Sequence, residues 1–339
     1  MSLLAESNSL KKINMREKVP MTVKIKRIIY IIIAIFAIGF GIQLVYNFVS
    51  GEMIKTKNTY VTIDTKKVYY HAAGAGDYTV IFSNPIGTNM YEWNKTIESL
   101  DKLGVRTFVY NRNGYGLSDG SEKMTPKEQA QQLEKVLKKA AITGNYILVG
   151  EGYGSLVLTN FAKEHPNNVK GVVLINPINE ANKSEYHNFK NLMSLGGKKI
   201  QAIGANFTLT WLLDKIGLAT NYPDFEKNLT NEKEKDQYDW LKNKAPYRKA
   251  IYNESKNLYD MSSNSETKGM FNNIPLYIIS NIKDNPLKDL GSKDYTTEFY
   301  TDYSGHSFAS ENPKDVSSAI TRVVDQAIRI NAREKENNK

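Results

Sequence analysis

The chain has 339 residues, a formal net charge of +9 and no cysteine. The absence of cysteine excludes disulfides, thiol nucleophiles and cysteine-ligated metal sites. Roughly half of the excess positive charge lies in residues 1–27, and the remainder is spread thinly over the rest of the chain. A diffuse surplus of this size is typical of an ordinary solvated surface, so the composition argues against a nucleic-acid partner.

An uncharged, strongly apolar stretch follows the basic tail at residues 28–50. A helix of about 20 such residues crosses a bilayer, and Tyr30 and Tyr46 fall near its ends, as interfacial aromatic residues do. A cleaved signal peptide is the main alternative, but the run is too long for one and no clear cleavage site follows. The basic flank predicts a cytoplasmic N-terminus. We therefore expect a single-pass cell-membrane protein whose C-terminal domain is extracellular.

Strand and helix patterns alternate after this segment. A hairpin is predicted over residues 59–71, followed by buried strands at Tyr78–Ser83, Val105–Tyr110, Tyr146–Val149 and Gly171–Ile175. Amphipathic helices are predicted at Trp93–Leu103, from Thr125-Pro126 to about Ala141, and at Leu156–Phe161. This alternation predicts a mostly parallel sheet with helices on both faces.

The strand pattern disappears over residues 181–273, where helical segments rich in lysine and asparagine predominate. Strands return at Ile274–Ile279 and Glu298–Tyr300, and a last helix is predicted from Pro313 to about Ala332. The simplest organisation is one α/β domain in two halves with a helical cap inserted between them. The predicted parts are a cytoplasmic tail (1–27), a transmembrane helix (28–50), the first half of the core (51–180), the cap (181–273) and the second half of the core (274–339).

A turn of small residues, Gly150-Glu151-Gly152-Tyr153-Gly154, joins the third buried strand to the next helix. This context is typical of a nucleophile elbow, in which the pattern G-x-S-x-G places a serine on a sharp turn. Here Gly152 occupies the position of the nucleophile. Because glycine has no side chain, no acyl- or alkyl-enzyme can form at residue 152.

Five motifs occur in order along the chain: Thr79–Thr88, Val109–Asp119, Gly150–Gly154, Ile278–Asp284 and Ser304–Ser307. Through them the chain resembles the α/β-hydrolase superfamily, and most of all the membrane-anchored or exported hydrolases of low-GC Gram-positive bacteria. The second motif is close to the superfamily's Y-D-R-x-G-x-G-x-S-D segment, with Asn111 in place of the aspartate. The resemblance implies an α/β-hydrolase fold with a helical cap, preceded here by one transmembrane helix.

The resemblance also implies a set of catalytic positions. In this superfamily an acid orients a histidine, which takes the proton of the elbow serine, and the chain order is nucleophile, acid, histidine. The matching positions are Gly152, Asp284 and His306, and Asp289 and Asp302 are rivals for the acid.

An oxyanion hole in this fold needs two backbone N–H donors. The resemblance implies Tyr153, directly after the nucleophile position, and Ile86 in the loop of the first motif, Asn84–Gly87. In the other possible register Pro85 faces the pocket, and that donor is then missing because proline has no N–H.

Three neighbouring side chains are poor substitutes for the missing nucleophile. Glu151 precedes the elbow position and points away from the pocket in the superfamily, Ser155 lies one turn into the helix, and Ser83 ends the preceding strand. A water molecule held by His306 can attack a substrate directly. Such a reaction has no covalent intermediate. Enzymes that lose a triad member typically keep a rate enhancement of only about 10³–10⁴ over the uncatalysed reaction.

Three functional interpretations remain open. The first is a degenerate hydrolase that keeps its pocket and cap and binds a small acyl compound, a lipid, a peptide or a protein partner. The second is an active hydrolase of an ester, amide or lactone that uses water with Asp284 and His306. The third is a variant in which an active-site serine was replaced. No cofactor is implied, and the four scattered histidines predict no metal site.

Overall fold

The computed structural model describes residues 20–53, 59–120, 122–260 and 266–337. Most of the predicted cytoplasmic tail (1–27) therefore lies outside the described residues. The strands are β1 (Tyr60–Ile63), β2 (Lys66–Ala73), β3 (Tyr78–Ser83), β4 (Arg106–Tyr110), β5 (Asn145–Glu151), β6 (Val169–Ile175), β7 (Leu276–Ser280) and β8 (Thr296–Tyr300). The helices are α1 (Met21–Met53), α2 (Asn94–Leu100), α3 (Pro126–Lys139), α4 (Tyr153–Glu164), α5 (Lys183–Tyr186), α6 (Phe189–Gly204), α7 (Leu209–Lys215), α8 (Pro223–Glu226), α9 (Glu232–Leu241), α10 (Ala245–Asp260), α11 (Phe308–Glu311) and α12 (Pro313–Asn337).

The strands form one sheet in the order β1-β2-β4-β3-β5-β6-β7-β8. Strands β1 and β2 form an antiparallel hairpin, and β2 is also antiparallel to β4. The remaining pairs from β4 to β8 are parallel, so their connections must cross over the sheet. Helices lie in these connections as far as β7, and a short 3₁₀ helix, Pro286–Leu290, lies between β7 and β8. The predicted fold class is confirmed.

Two buried apolar clusters cover the two faces of the sheet. Successive strand residues enter opposite clusters, as the two-residue period of a strand requires: Ile81 packs on one face and Val80 on the other. Helices α3 and α4 cover the first face, while α2 and α12 cover the second. The central strands are therefore buried on both sides, which explains their continuous apolar runs.

Helix α3 shows how local sequence sets the position of an element. The hydroxyl of Thr125 accepts the N–H of Glu128, and the carboxylate of Glu128 accepts the N–H of Thr125 at 2.7 Å. Pro126 at the first turn has no N–H to satisfy. The predicted start is confirmed. The helix ends at Lys139, two residues earlier than predicted, because Ala141 adopts a positive φ of 55°.

Helix α1 is long and apolar enough to cross a membrane. It begins earlier than the predicted segment, so that the flanking basic residues Lys24, Lys26 and Arg27 belong to the same helix. Most of its side chains are exposed. Two residues that are only partly exposed, Gly39 and Tyr46, contact the segment inserted between β6 and β7.

Candidate functional site

Gly152 lies at the sharp turn between β5 and α4, with φ 52° and ψ −117°. These backbone angles are strained for residues that carry a side chain, which is how a nucleophile elbow presents its reactive group. The N–H of Gly152 donates to the carbonyl of Ile175 at 3.0 Å and ties the turn to β6. The structure thus has the elbow geometry at the residue that the motif indicates.

The three glycines of the elbow differ in the space around them. A Cβ at Gly150 would lie 2.9 Å from the backbone of Ser155, and one at Gly154 would lie 2.1 Å from the carbonyl oxygen of Ser83. A Cβ at Gly152 would meet only Pro85, at an ordinary 3.4 Å. Close packing therefore requires glycine at the two flanking positions and leaves room for a side chain at the nucleophile position.

The loop after β3 covers the elbow. Pro85 is the residue that faces Gly152, and the next residue, Ile86, turns its carbonyl oxygen to within 2.5 Å of Nε2 of His306. A carbonyl oxygen only accepts, so Nε2 carries the proton in this contact. The nitrogen that would take a proton from a nucleophile is therefore already engaged.

Tyr222, from the segment before α8, packs over the same loop. Its ring lies 4.5 Å from the His306 ring, and its side chain fills the space that a Cβ at Gly87 would occupy. Burial of the ring lowers the pKa of His306, and the positive charge of Lys198 lowers it further, against the raising effects of the Ile86 carbonyl and of an aspartate. The lowered pKa favours the neutral imidazole, although part of the residue remains exposed.

The predicted acid does not meet the histidine. Asp284 has a positive φ of 56°, and its exposed carboxylate pairs with Lys288. The rival Asp302 accepts the hydroxyl of Tyr300, and the rival Asp289 pairs with a lysine at 3.6 Å. Among the described contacts of His306, none comes from these three aspartates, so the predicted triad is not assembled.

The carboxylate that contacts residue 306 comes from the inserted helices. Asp224 accepts the backbone N–H of His306 at 3.0 Å and the hydroxyl of Tyr303 at 2.8 Å. It holds the loop and not the imidazole ring. No sequence motif marks Asp224, because it lies 82 residues from its partner in a segment outside the five motifs.

Two buried glutamates hold the segment that follows His306. Glu151 accepts the N–H groups of Phe308 and Ala309 at 2.5 and 3.1 Å, as a residue directed away from the pocket would. Glu92 accepts the hydroxyl of Ser307, and that of Ser310 at 2.9 Å. Burial raises the pKa of Glu92 to about 7 and holds the pKa of Glu151 well above its usual value. Sequence reasoning did not identify Glu92.

The N–H groups of the implied oxyanion hole flank the elbow. Tyr153 begins α4 directly after Gly152, and Ile86 follows the proline that lies over it. In the described part of the chain, neither N–H has a hydrogen-bond partner. Both candidates are thus available as donors, although the Ile86 carbonyl is bound to the histidine.

Arg112, in the second motif, fixes the covering loop. Its guanidinium donates to the carbonyl oxygens of Asn84 and Pro85 at 2.6 and 3.2 Å. It also forms a buried ion pair with Glu254 of α10, with contacts of 2.7 and 2.9 Å. The hydroxyl of Tyr115 donates to the same glutamate at 2.7 Å. A buried charge network therefore joins the loop to the inserted helices.

A cavity of about 470 Å³ lies between α6, α10 and the loop. Its lining includes Lys198, whose ammonium donates to Ser255 at 3.0 Å and whose pKa burial lowers. Ile86, Tyr222 and His306 form the wall on the elbow side, and Gly152 is outside the lining. A larger groove of about 680 Å³ runs along α12 and shares no residue with the elbow.

Comparison with known proteins supports the α/β-hydrolase fold. A family model described as alpha/beta hydrolase fold matches residues 78–308. The uncharacterized protein YqjL of Bacillus subtilis (strain 168) is 30% identical over 109 residues, which is 32% of this chain and 42% of that protein. The chain therefore matches less than half the length of this curated relative.

Solved structures share the fold at low sequence identity. The Cif epoxide hydrolase from Acinetobacter nosocomialis is 14% identical, with a TM-score of 0.63 over 81% of this chain and 95% of that one. A putative acyltransferase from Salmonella enterica is 15% identical, with a TM-score of 0.61 over 80% and 95%. The epoxide hydrolase CorEH is 15% identical, with a TM-score of 0.58 over 79% and 98%.

Proposed function

Since this chain belongs to the alpha/beta hydrolase fold family, we propose that it is a membrane-anchored member that binds a ligand and does not catalyse hydrolysis. The observation that carries the proposal is the pair of defects at one site. Gly152 supplies no nucleophile, and Nε2 of His306 is bound to the carbonyl of Ile86. Direct attack by water would need the same nitrogen as its base.

The cavity indicates the class of ligand. Its volume of about 470 Å³ falls within the range of small-molecule sites. Leu195 and Leu258 supply apolar surface, while Lys198 and Ser255 supply a cation and a hydroxyl close together. We infer a small acyl compound or lipid with a carboxylate placed at Lys198. A peptide or a protein partner has no corresponding support in the lining.

Helix α1 indicates on which side of the membrane the domain lies. Helix α1 has the length and hydropathy of a membrane span, and its basic residues lie at the N-terminal end. The positive-inside bias then puts the N-terminus in the cytoplasm and the domain outside. A relative in Bacillus subtilis is consistent with our expectation that related proteins occur in low-GC Gram-positive bacteria.

Activity is tested with the full-length protein in detergent micelles, with p-nitrophenyl butyrate as substrate. We expect turnover no faster than that of the His306→Ala variant. Turnover at ordinary esterase rates that is lost in His306→Ala would overturn the proposal and favour a hydrolase that uses water.

Binding is tested by calorimetric titration of the same protein with dodecanoate. Loss of a charge-assisted contact in Lys198→Met should weaken binding by about tenfold or more. Lys199→Met is the matched control, because Lys199 is on the same helix and outside the cavity lining. Equal affinities in the two variants would contradict the assignment of the carboxylate to Lys198.

A further inference from the structure

Helix α6 has an unusual distribution of residues, because large apolar side chains lie on its outward side while several polar residues line the cavity on its inward side. Asn191, Ser194 and Lys198 share one side of the helix and line the cavity, toward the protein. The opposite side carries Phe189, with 76% of its surface exposed, together with Met193 and Ile200. A surface helix of a globular domain normally turns its apolar stripe inward and its polar face to water.

The apolar face continues beyond α6. Further large apolar side chains are exposed on α6, on α7 and directly after α7; they are Leu192, Ile203, Trp211, Leu212, Ile216 and Leu218. We call this set, with Phe189, Met193 and Ile200, the cap face. Contiguous exposed apolar surface of this kind marks a site of contact with another apolar body.

The charges around the cap face are of one sign. On α6, the exposed residues Lys190 and Lys199 flank the cap face, Lys198 lines the cavity on the other side, and the helix has no acidic residue. In α7 the one acid, Asp214, accepts from the amides of Asn221 and Asn243 at 2.7 Å each, and is satisfied within the protein. An apolar face edged by lysines matches a bilayer with anionic head groups, because the ammonium groups can extend to the interface.

The cap face lies next to α1. The ring of Phe207, in the turn between α6 and α7, meets the ring of Phe36 edge-on at 5.0 Å. The hydroxyl of Thr208 donates to the carbonyl of Gly39 at 2.8 Å. A Cβ at Gly39 would lie 2.4 Å from the carbonyl oxygen of Phe207, so glycine permits this close approach.

The position of Gly39 gives the depth of that turn. It lies at the middle of the uncharged stretch 28–50, about 16 Å along the helix from either end. The hydrocarbon core is about 30 Å thick, so a turn that touches Gly39 enters the leaflet crossed by the second half of α1. Nearer the end of α1, the hydroxyl of Tyr46 donates to the carbonyl of Trp240 at 2.9 Å, and this aromatic pair matches the interfacial belt.

We propose that the cap face is a second membrane-contact surface, seated in the same leaflet of the bilayer as the outer half of α1. The proposal rests on the proposed anchor and does not depend on ligand binding. The cavity lies on the other side of α6, which places it next to the leaflet in this arrangement.

The experiment uses the absence of cysteine in the native chain. Full-length variants Met193→Cys and Ile200→Cys, on the cap face, are labelled with NBD and reconstituted in vesicles of phosphatidylcholine and phosphatidylglycerol. Ile33→Cys reports on α1, and Lys102→Cys, exposed after α2, is the control outside the cap. Quenching is measured with doxyl-labelled lipid and with aqueous iodide.

We expect doxyl lipid to quench the labels at 193 and 200 at least about twofold more than the label at 102, and iodide to show the opposite order. Iodide quenching at 193 and 200, with lipid quenching at 33, would refute the cap-face proposal and leave the anchor in place. Shielding at 193 and 200 from both quenchers would refute it in favour of a protein partner or a second copy. Iodide quenching at 33 would refute the anchor, and this inference with it.

Discussion

The imidazole Nε2 of His306 donates its proton to the carbonyl oxygen of Ile86 at 2.5 Å. In an active member of the fold this nitrogen faces the nucleophile and the loop provides N–H donors. Here the loop presents an acceptor to the histidine instead. The site thus differs in two ways: residue 152 has no hydroxyl, and His306 is bound to the Ile86 carbonyl. A serine at residue 152 would correct only the first of these.

Restoring the serine tests this coupling. We expect Gly152→Ser to fold, because a Cβ there meets only Pro85 at 3.4 Å, with a backbone cost of about 1–2 kcal/mol for the positive φ. We expect no covalent labelling by a fluorophosphonate probe, measured by intact-protein mass spectrometry. Stoichiometric labelling that disappears in Gly152→Ser/His306→Ala would instead identify the chain as a serine hydrolase that has lost only its nucleophile.

The flanking glycine should be far less tolerant. A Cβ at Gly154 would lie 2.1 Å from the carbonyl oxygen of Ser83, which is backbone and cannot easily move. We expect Gly154→Ala to lower the free energy of unfolding by about 3 kcal/mol and Gly152→Ala to lower it by about 1–2 kcal/mol. Chemical denaturation in micelles measures both. Equal losses of unfolding free energy in the two variants would mean that the backbone near Gly154 moves to accommodate the added methyl group, contrary to the prediction.

The buried ion pair should be costly to break from one side. Glu254→Gln leaves the guanidinium of Arg112 without its counter-charge, and we expect a loss of about 3–5 kcal/mol in the free energy of unfolding. The control is Lys135→Met, which removes the solvent-exposed pair with Asp64 and should leave the free energy of unfolding nearly unchanged. A small effect of Glu254→Gln would mean that water reaches the guanidinium.

Protonation of Glu92 should make the free energy of unfolding decrease as the pH rises from 4.5 to about 7. The pKa of Glu92 is raised from 4.5 to about 7, so between these values the folded state holds a proton that the unfolded state has released. Glu92→Gln should flatten this part of the profile relative to the native chain, by on the order of 1–3 kcal/mol at pH 7. Glu98→Gln, on the exposed side of α2, is the control. Profiles that stay parallel for the native chain and Glu92→Gln would rule out this titration.

The contact between α1 and the cap can be tested with two glycines of one helix. Gly39→Leu places a side chain where the carbonyl of Phe207 lies, whereas a side chain at Gly41 meets open space. We expect Gly39→Leu to lower the melting temperature of the domain in micelles by several degrees and Gly41→Leu to leave it unchanged. If the two variants melt alike, the packing of Phe207 against α1 contributes nothing to stability.

Sequence patterns located the fold because its determinants are local. The apolar runs of β3 and β5, the capping residues at Thr125 and the small-residue turn at Gly152 lie within a few positions of the structure they specify. The neighbours of His306 could not be found in this way. Tyr222 and Asp224 reach it from the inserted helices, more than 80 positions along the chain, and no period or motif encodes that approach.

Asp284 illustrates a different limit. The motif places it correctly after β7, but a motif does not give the direction of a side chain. The positive φ of Asp284 and the nearby ammonium of Lys288 turn its carboxylate into solvent. The predicted role of Asp284 thus depended on an orientation that only the backbone angles and the ion pair determine.

The guanidinium of Arg112 donates both to two successive carbonyl oxygens of the loop and to the carboxylate of Glu254 in α10. We therefore expect a displacement of α10 to shift Asn84 and Pro85 as well. The next residue, Ile86, carries the carbonyl oxygen that accepts from His306. Because Ile86 and His306 also line the cavity, we expect a molecule bound there to act on the loop both directly and through α10.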